Sequence, residues 1–316
     1  MVPQKASRRT FLGSAASFLA AAALGRPGLV PGRASKPVSQ ERALSCNVYT
    51  WMTFFGREGR DWFEDLDASL AEYARSGLTV FEPSVGSASE LATLGPLLRK
   101  HGLRMDSVYV GSSLHDDAEA EESIAQILQI ADSARALGAR IIVTNPNPLP
   151  EQQCKSDAQL RTQARNLDRL GAALRERALT LAYHNHDPEL RCAAREFHHM
   201  MLATDPEHVG LCLEPHWIYR GAGNSQVALF DIIRLYGRRT VEVHLRQSQG
   251  GVWTETFGPG DIDYVRFAQE LERLEVRPLL VLEQAVEEGT PHTMDAVEAH
   301  KRSIDYALEV FGLSGA

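Results

Sequence analysis

Four short apolar runs in the second half of the chain, LAYHNHD (181–187), VGLCLEPHW (209–217), TVEVHLRQ (240–247) and LLVLEQ (279–284), all carry imidazole or carboxylate side chains toward their ends. Their length and composition read as buried strands. Successive side chains of a strand point to opposite faces. Thr180, Ala182, His184 and His186 therefore share one face, as do Gly210, Cys212, Glu214 and His216, then Glu242, His244 and Arg246, then Val281 and Glu283. These faces start small or aliphatic in most of the runs and end polar in all of them. Polar groups thus collect at the C-terminal ends of consecutive strands, which is where a β/α barrel builds its active site.

The rest of the chain alternates as such a barrel requires. Strands are expected at Leu44–Trp51, Thr79–Val85, Arg104–Gly111 and Arg140–Asn145. Helical apolar stripes lie between strands, for example Ile124, Ile127, Leu128, Ala131, Ala134 and Leu137, or Tyr264, Phe267, Ala268, Leu271 and Leu274. Ser87 with Glu90 resembles a capping box, and Gly77, Gly102 and Gly138 stand where helices should stop. Val297, Ile304, Leu308 and Phe311 mark a last helix. Eight strand and helix pairs give an α/β fold, a (β/α)8 TIM barrel over residues 41–316. A doubly wound open sheet is the rival, but Asn47-Val48-Tyr49-Thr50-Trp51 stands where its Gly-rich phosphate turn belongs.

The N-terminus carries a separate message. Ser7-Arg8-Arg9-Thr10-Phe11-Leu12 precedes a small, Ala-rich apolar stretch through Leu24, and residues 25–40 are rich in Pro, Gly and Ser. Residues 1–40 read as a twin-arginine signal peptide and linker. The apolar part is shorter than the ~20 residues that span a bilayer, so no stable membrane anchor is expected. The protein is expected in the periplasm or otherwise exported, with the twin-arginine machinery as a partner. A net charge of −8 over 316 residues gives no basic stripe for nucleic acid. Cys46, Cys154, Cys192 and Cys212 are too few and dispersed for a disulfide scaffold. Cys46 and Cys212 fall in strands as buried thiols, although an exported chain could oxidise a nearby pair.

Several strings together carry a family resemblance: Tyr183-His184-Asn185-His186-Asp187, Thr204-Asp205-Pro206, Glu214-Pro215-His216-Trp217 with Gly221-Ala222-Gly223, Val243-His244-Leu245, Gly258-Pro259-Gly260-Asp261-Ile262-Asp263 and Leu282-Glu283-Gln284. In order and spacing they resemble the xylose isomerase-like barrels of the sugar phosphate isomerase/epimerase family. The resemblance implies one divalent ion, Mn, Co, Mg or Zn, held by residues from the ends of the fifth to eighth strands. By position the last three are Glu214, His244 and Glu283. The family's usual fifth-strand Glu is absent, which leaves His184 or His186 in its place, and Glu214 stands where Asp is usual.

The resemblance also implies proton transfer next to a sugar carbonyl through an enediolate, with Glu283 as the base. The pair of glutamates that epimerases of the family use is broken here by the fifth-strand histidine, and Glu189 is the candidate second carboxylate. Trp217, His216 and Arg246 are placed to bind substrate; Trp217 is the residue type that lies against a sugar ring. Glu82, Tyr109, His115 and Asn145 fall at or just beyond earlier strand ends, where Glu82 and Asn145 are candidates to bind hydroxyls. Arg246 is the single cation near the last strand ends, so a phosphate on the substrate is not indicated. The expected partner is a carbohydrate or polyol, with a homo-oligomer possible. The reading is an exported metal-dependent sugar isomerase or epimerase. Its rivals are a lyase or hydrolase of 3-keto-glycosides, an inosose dehydratase, and a sugar-binding barrel without turnover. An endonuclease acting on abasic DNA is disfavoured by the acidic balance.

Overall fold

The computed structural model describes residues 44–313. The expected leader, residues 1–40, lies outside the described residues. Eight parallel strands form the sheet: β1 Leu44–Asn47, β2 Val80–Glu82, β3 Ser107–Tyr109, β4 Ile141–Thr144, β5 Thr180–His184, β6 Val209–Leu213, β7 Thr240–Leu245 and β8 Leu279–Leu282. They run in the order β2-β1-β8-β7-β6-β5-β4-β3. Bridges Val80↔Arg104 and Ser84↔Tyr109 bring the two outer strands together, so the sheet closes on itself as a barrel. A parallel sheet is buried on both faces, and the main core fills the layer between strands and surrounding helices. A smaller apolar floor of Val143, Ala182 and Cys212 lies apart from it. These three belong to the faces expected to carry the polar strand ends.

The strands are shorter than their expected runs, and in two of them a local reason is plain. The run from Leu44 ends as a strand at Asn47, whose side chain accepts a hydrogen bond from Tyr49 N (2.8 Å) and caps helix α1, Val48–Arg57. Val48, Trp51, Phe54 and Phe55 are buried with helical spacing and so belong to α1. The run from Val209 stops at Leu213 because Pro215 opens a short helix, Pro215–Gly221. His216 and Trp217 therefore leave the strand, and His216 does not share a strand face with Glu214. The expected capping box at Ser87 is also absent in that form. Ser87 Oγ instead donates to Glu90 Oε1 (2.9 Å), and the reciprocal pair occurs at Ser156 and Gln159.

An antiparallel hairpin, Ser248–Gln249 with Val252–Trp253, was not expected. The Gly258–Asp261 string holds it: Asp261 accepts from Gly250 N, Gly251 N and Ser248 Oγ at 2.8–2.9 Å. A Cβ at Gly260 would collide with the Ser248 carbonyl, so that close approach requires glycine. Cys46 and Cys212 are free and buried, whereas Cys154 and Cys192 form a disulfide. The bridge ties the loop after β4 to the segment after β5. Among the described residues, no helix is long and apolar enough to cross a membrane.

Candidate metal centre and substrate cavity

His244 is the centre of the buried polar cluster. Its Nε2 lies 3.0 Å from Glu242 Oε1 and 3.2 Å from Glu82 Oε2, and its Nδ1 lies 3.4 Å from Glu283 Oε2. Glu82 is held by Asn47 Nδ2 (2.6 Å) and Ser107 Oγ (3.0 Å). An imidazole that donates one N–H to a carboxylate offers its other nitrogen as a ligand. Here Nε2 faces the supporting carboxylates, so Nδ1 is the nitrogen presented beside Glu283. Burial opposes charge on His244, but neighbouring Cys212, Glu82 and Glu283 outweigh it and raise its pKa well above the ordinary range.

Glu214, His244 and Glu283 each bring a donor atom within 4.8 Å of the others. Both Glu214 oxygens and His244 Nδ1 are buried without a hydrogen-bond partner. Such groups are costly when unsatisfied. A divalent cation taken by oxygen and imidazole donors would satisfy all three, so the residues fit a metal. Burial, only partly offset by Arg246, pushes the Glu214 carboxyl up to about 8.

The two fifth-strand histidines separate. His184 is fully buried, its ring centroid 4.7 Å from that of His244, its Nδ1 3.5 Å from Cys212 Sγ and its Nε2 unpartnered. Burial, together with the charge on His244, keeps it neutral. It forms a second possible ligand group with Cys212 and His244. His186 instead lines a cavity of about 300 Å³, together with Asn47, Tyr49, Ser84, Tyr109, Trp217, Arg246 and Glu283. Burial lowers the His186 pKa to about 4, so its imidazole is neutral near pH 7.

Glu283 is the carboxylate that belongs to both the metal group and the cavity wall. Arg246 clamps it: Nη2 lies 2.8 Å from Oε2, and Nε donates to the Glu283 carbonyl at 2.9 Å. Burial would raise the Glu283 pKa, but Arg246 and His244 outweigh it and hold the group ionised, well below the usual carboxylate range. The Arg246 guanidinium also sits 4.3 Å from the Trp253 ring and 5.0 Å from the Trp217 ring. Arg246 is therefore not a free substrate cation but a clamp with one face toward the cavity.

Other expected site residues stand one step back. Glu189 does not line the cavity. Its Oε2 accepts from His186 N (2.8 Å) and its Oε1 from Asn145 Nδ2 (3.3 Å), while Asn145 Oδ1 meets His186 Nδ1 at 3.0 Å. Glu189 and Asn145 thus position His186, and burial with Glu196 nearby raises Glu189 to about 7. Glu82 does not reach the cavity either; it supports His244 from below. His216 is buried among Trp217, Tyr219 and Trp253, with both ring nitrogens unpartnered, and burial and Arg246 lower its pKa to about 2. Arg220 pairs with Glu287 at 2.7 Å. Sequence reasoning did not assign a role to Trp253, Ser84 or Tyr49, or to Glu242 as a partner of His244. The alternation that selected His244 also placed Glu242 two residues earlier on the same face.

A closed parallel barrel with a histidine and carboxylate centre at its strand ends defines a class of (β/α)8 barrels built for strand-end chemistry. The chain belongs to the xylose isomerase-like TIM barrel family, whose model matches residues 70–308. Solved structures agree on the fold. A sugar phosphate isomerase/epimerase from Parabacteroides distasonis is 15% identical, with 89% of this chain and 98% of that one covered and a TM-score of 0.66. A D-allulose 3-epimerase from Methylomonas sp., solved with D-allulose, is 14% identical over 85% of this chain and 98% of its own, with a TM-score of 0.64. A xylose isomerase-like TIM barrel protein from Mycobacterium smegmatis, solved with magnesium, is 16% identical over 86% and 97%, also at 0.64. No curated protein matches the sequence.

Proposed function

We propose that the chain is an exported, metal-dependent enzyme of the sugar isomerase or epimerase type, which moves a proton on the carbon next to a carbonyl. The observation that carries this reading is Glu283, a carboxylate common to the fitted metal group and the cavity wall. Glu214, His244 and Glu283 would hold the ion, with His184 the nearest fifth-strand donor. When bound, a divalent ion supplies polarisation of a carbonyl and stabilisation of the negative charge that develops on its oxygen.

The chain's own residues divide the remaining work. Arg246 fixes the Glu283 carboxylate and keeps it ionised, so it is in the form that accepts a proton. His186 faces the same cavity as a neutral imidazole, from a strand separated from that of Glu283 by β6 and β7. It is the candidate for the second proton-handling group, with Asn145 and Glu189 setting its orientation. Trp217 supplies an apolar face at the cavity wall, suited to the C–H face of a sugar ring. Export is supported by Arg8-Arg9 in the leader string and agrees with the Cys154–Cys192 disulfide, because such bonds persist in oxidising compartments.

Two measurements check this reading. Replacing Arg8 and Arg9 together by Lys should leave the protein in the cytoplasm, since Lys lacks the planar guanidinium fork; cell fractionation showing normal export would remove the leader. Metal affinity should rise with pH through about 8, because the Glu214 carboxyl and the His244 imidazole, whose pKa is also raised, must both give up a proton to the ion. Below that value the Glu214 carboxyl is largely protonated and the ion must displace its proton. The sign follows for stability as well. The folded apoprotein holds this proton more tightly than the unfolded chain, so its stability falls as pH rises from the ordinary carboxylate range to about 8. Metal titrations at pH 6, 7 and 8 with an affinity independent of pH would contradict Glu214 as a ligand.

A further inference from the structure

A second cavity, of about 200 Å³, lies beside the first. Val48, Trp62, Phe63, Leu66, Phe81 and Leu94 form its apolar walls. Ser84 belongs to the walls of both cavities. The chain after β1 also divides between them: Asn47 and Tyr49 line the polar cavity, and Val48 between them lines the apolar one. Large apolar side chains stay exposed along this stretch, with Tyr49 40%, Met52 38% and Phe63 55% accessible. Met52 follows Tyr49 by three residues on α1, which places the two on one side of that helix.

These features suit an apolar group attached to the substrate. Exposed apolar side chains in a cavity wall, here Phe63 in the apolar one and Tyr49 in the polar one, mark a binding site. An apolar cavity of about 150 Å³ stays dry and takes up benzene, so this one has room for a single six-membered ring. Glu90 is the charged residue in its wall, and its carboxylate is already occupied by Gly86 N and Ser87 Oγ. No cation among the residues lining the cavity awaits an anionic substituent.

We propose that the substrate is a carbonyl sugar bearing an apolar, ring-sized substituent. The sugar sits at Glu283, His186 and Trp217, and the substituent lies in the cavity of Trp62, Phe63 and Phe81. The inference rests on the carbohydrate reading of the first cavity and specifies what that carbohydrate carries.

The test compares phenyl and methyl 3-keto-β-D-glucopyranoside, which share one carbonyl sugar, and phenol alone, each titrated into the full-length protein with tryptophan fluorescence as the readout. Burial of the ring should make the phenyl glycoside bind roughly 10- to 100-fold more tightly than the methyl one. Phenol should bind the same cavity. Phe63→Ala, which removes one wall, and Thr93→Trp, which fills the space from an exposed position, should bring the two glycosides to similar affinity and leave the methyl glycoside unchanged. Equal binding of both glycosides to the wild type would overturn the inference and leave the carbohydrate reading standing. Phenol binding that Thr93→Trp abolishes, with neither glycoside bound, would overturn the carbohydrate reading and keep the cavity as an aryl site. Absence of phenol binding would overturn the inference whatever the glycosides do.

Discussion

Glu283→Gln should retain part of the metal affinity and lose proton exchange by roughly 10²–10⁴-fold, the range expected when one general acid or base is removed. The amide oxygen remains a donor to a cation, but the amide cannot accept a proton. Its shape also preserves the contact with Arg246, which in the wild type lies 2.8 Å from the carboxylate. Loss of activity can therefore be separated from loss of the clamp. Metal content by elemental analysis and exchange by NMR give the two readouts. A Glu283→Gln enzyme with unchanged exchange would move the base elsewhere, with His186 next in line.

His244→Ala should remove the metal and also destabilise the barrel by about 3–5 kcal/mol, the cost of removing one partner from a buried charge cluster. On the strand pattern alone, a ligand at a strand end is dispensable for packing. The structure gives His244 three carboxylate neighbours, Glu82, Glu242 and Glu283, all buried. Alanine would leave the ionised Glu82 without its cation, while Glu242, which burial and Glu82 push up to about 8, is already largely protonated. Urea unfolding is the check, and Glu82→Gln added to His244→Ala should recover part of the loss because it removes the stranded charge. An unfolding midpoint unchanged by His244→Ala would show that the cluster carries no net stabilisation.

The barrel was legible in the sequence because each strand announces itself as an apolar run, and period-two alternation puts His184, Glu214, Glu242, His244 and Glu283 on consistent faces. The alternation failed where a proline or a capping side chain turned the chain into a helix. Pro215 turns the chain into a helix, so His216 left the face assigned to it, and Asn47 did the same for Val48–Trp51 by capping α1. Glu189 looked like a free loop carboxylate, yet three residues are enough for its side chain to fold back onto His186 N. Roles such as the Arg246 clamp and the Glu82 support of His244 depend on strands far apart in sequence. Residue type can suggest such contacts, but the partner is set by barrel closure. The Cys154–Cys192 disulfide likewise joins two loops whose proximity follows from β4 and β5 being neighbours.

The central claim is proton transfer on a carbon next to a sugar carbonyl, and solvent deuterium tests it most directly. The metal-loaded protein is incubated in D₂O with a panel of keto- and aldo-sugars, including phenyl-substituted keto-glycosides, and each is followed by proton NMR. The account predicts that at least one sugar loses the signal of a carbon-bound proton adjacent to its carbonyl, and that Glu283→Gln and metal removal each stop the loss. A sugar that binds with micromolar affinity yet shows no exchange over many hours with the metal in place would contradict it and leave a binding barrel without turnover.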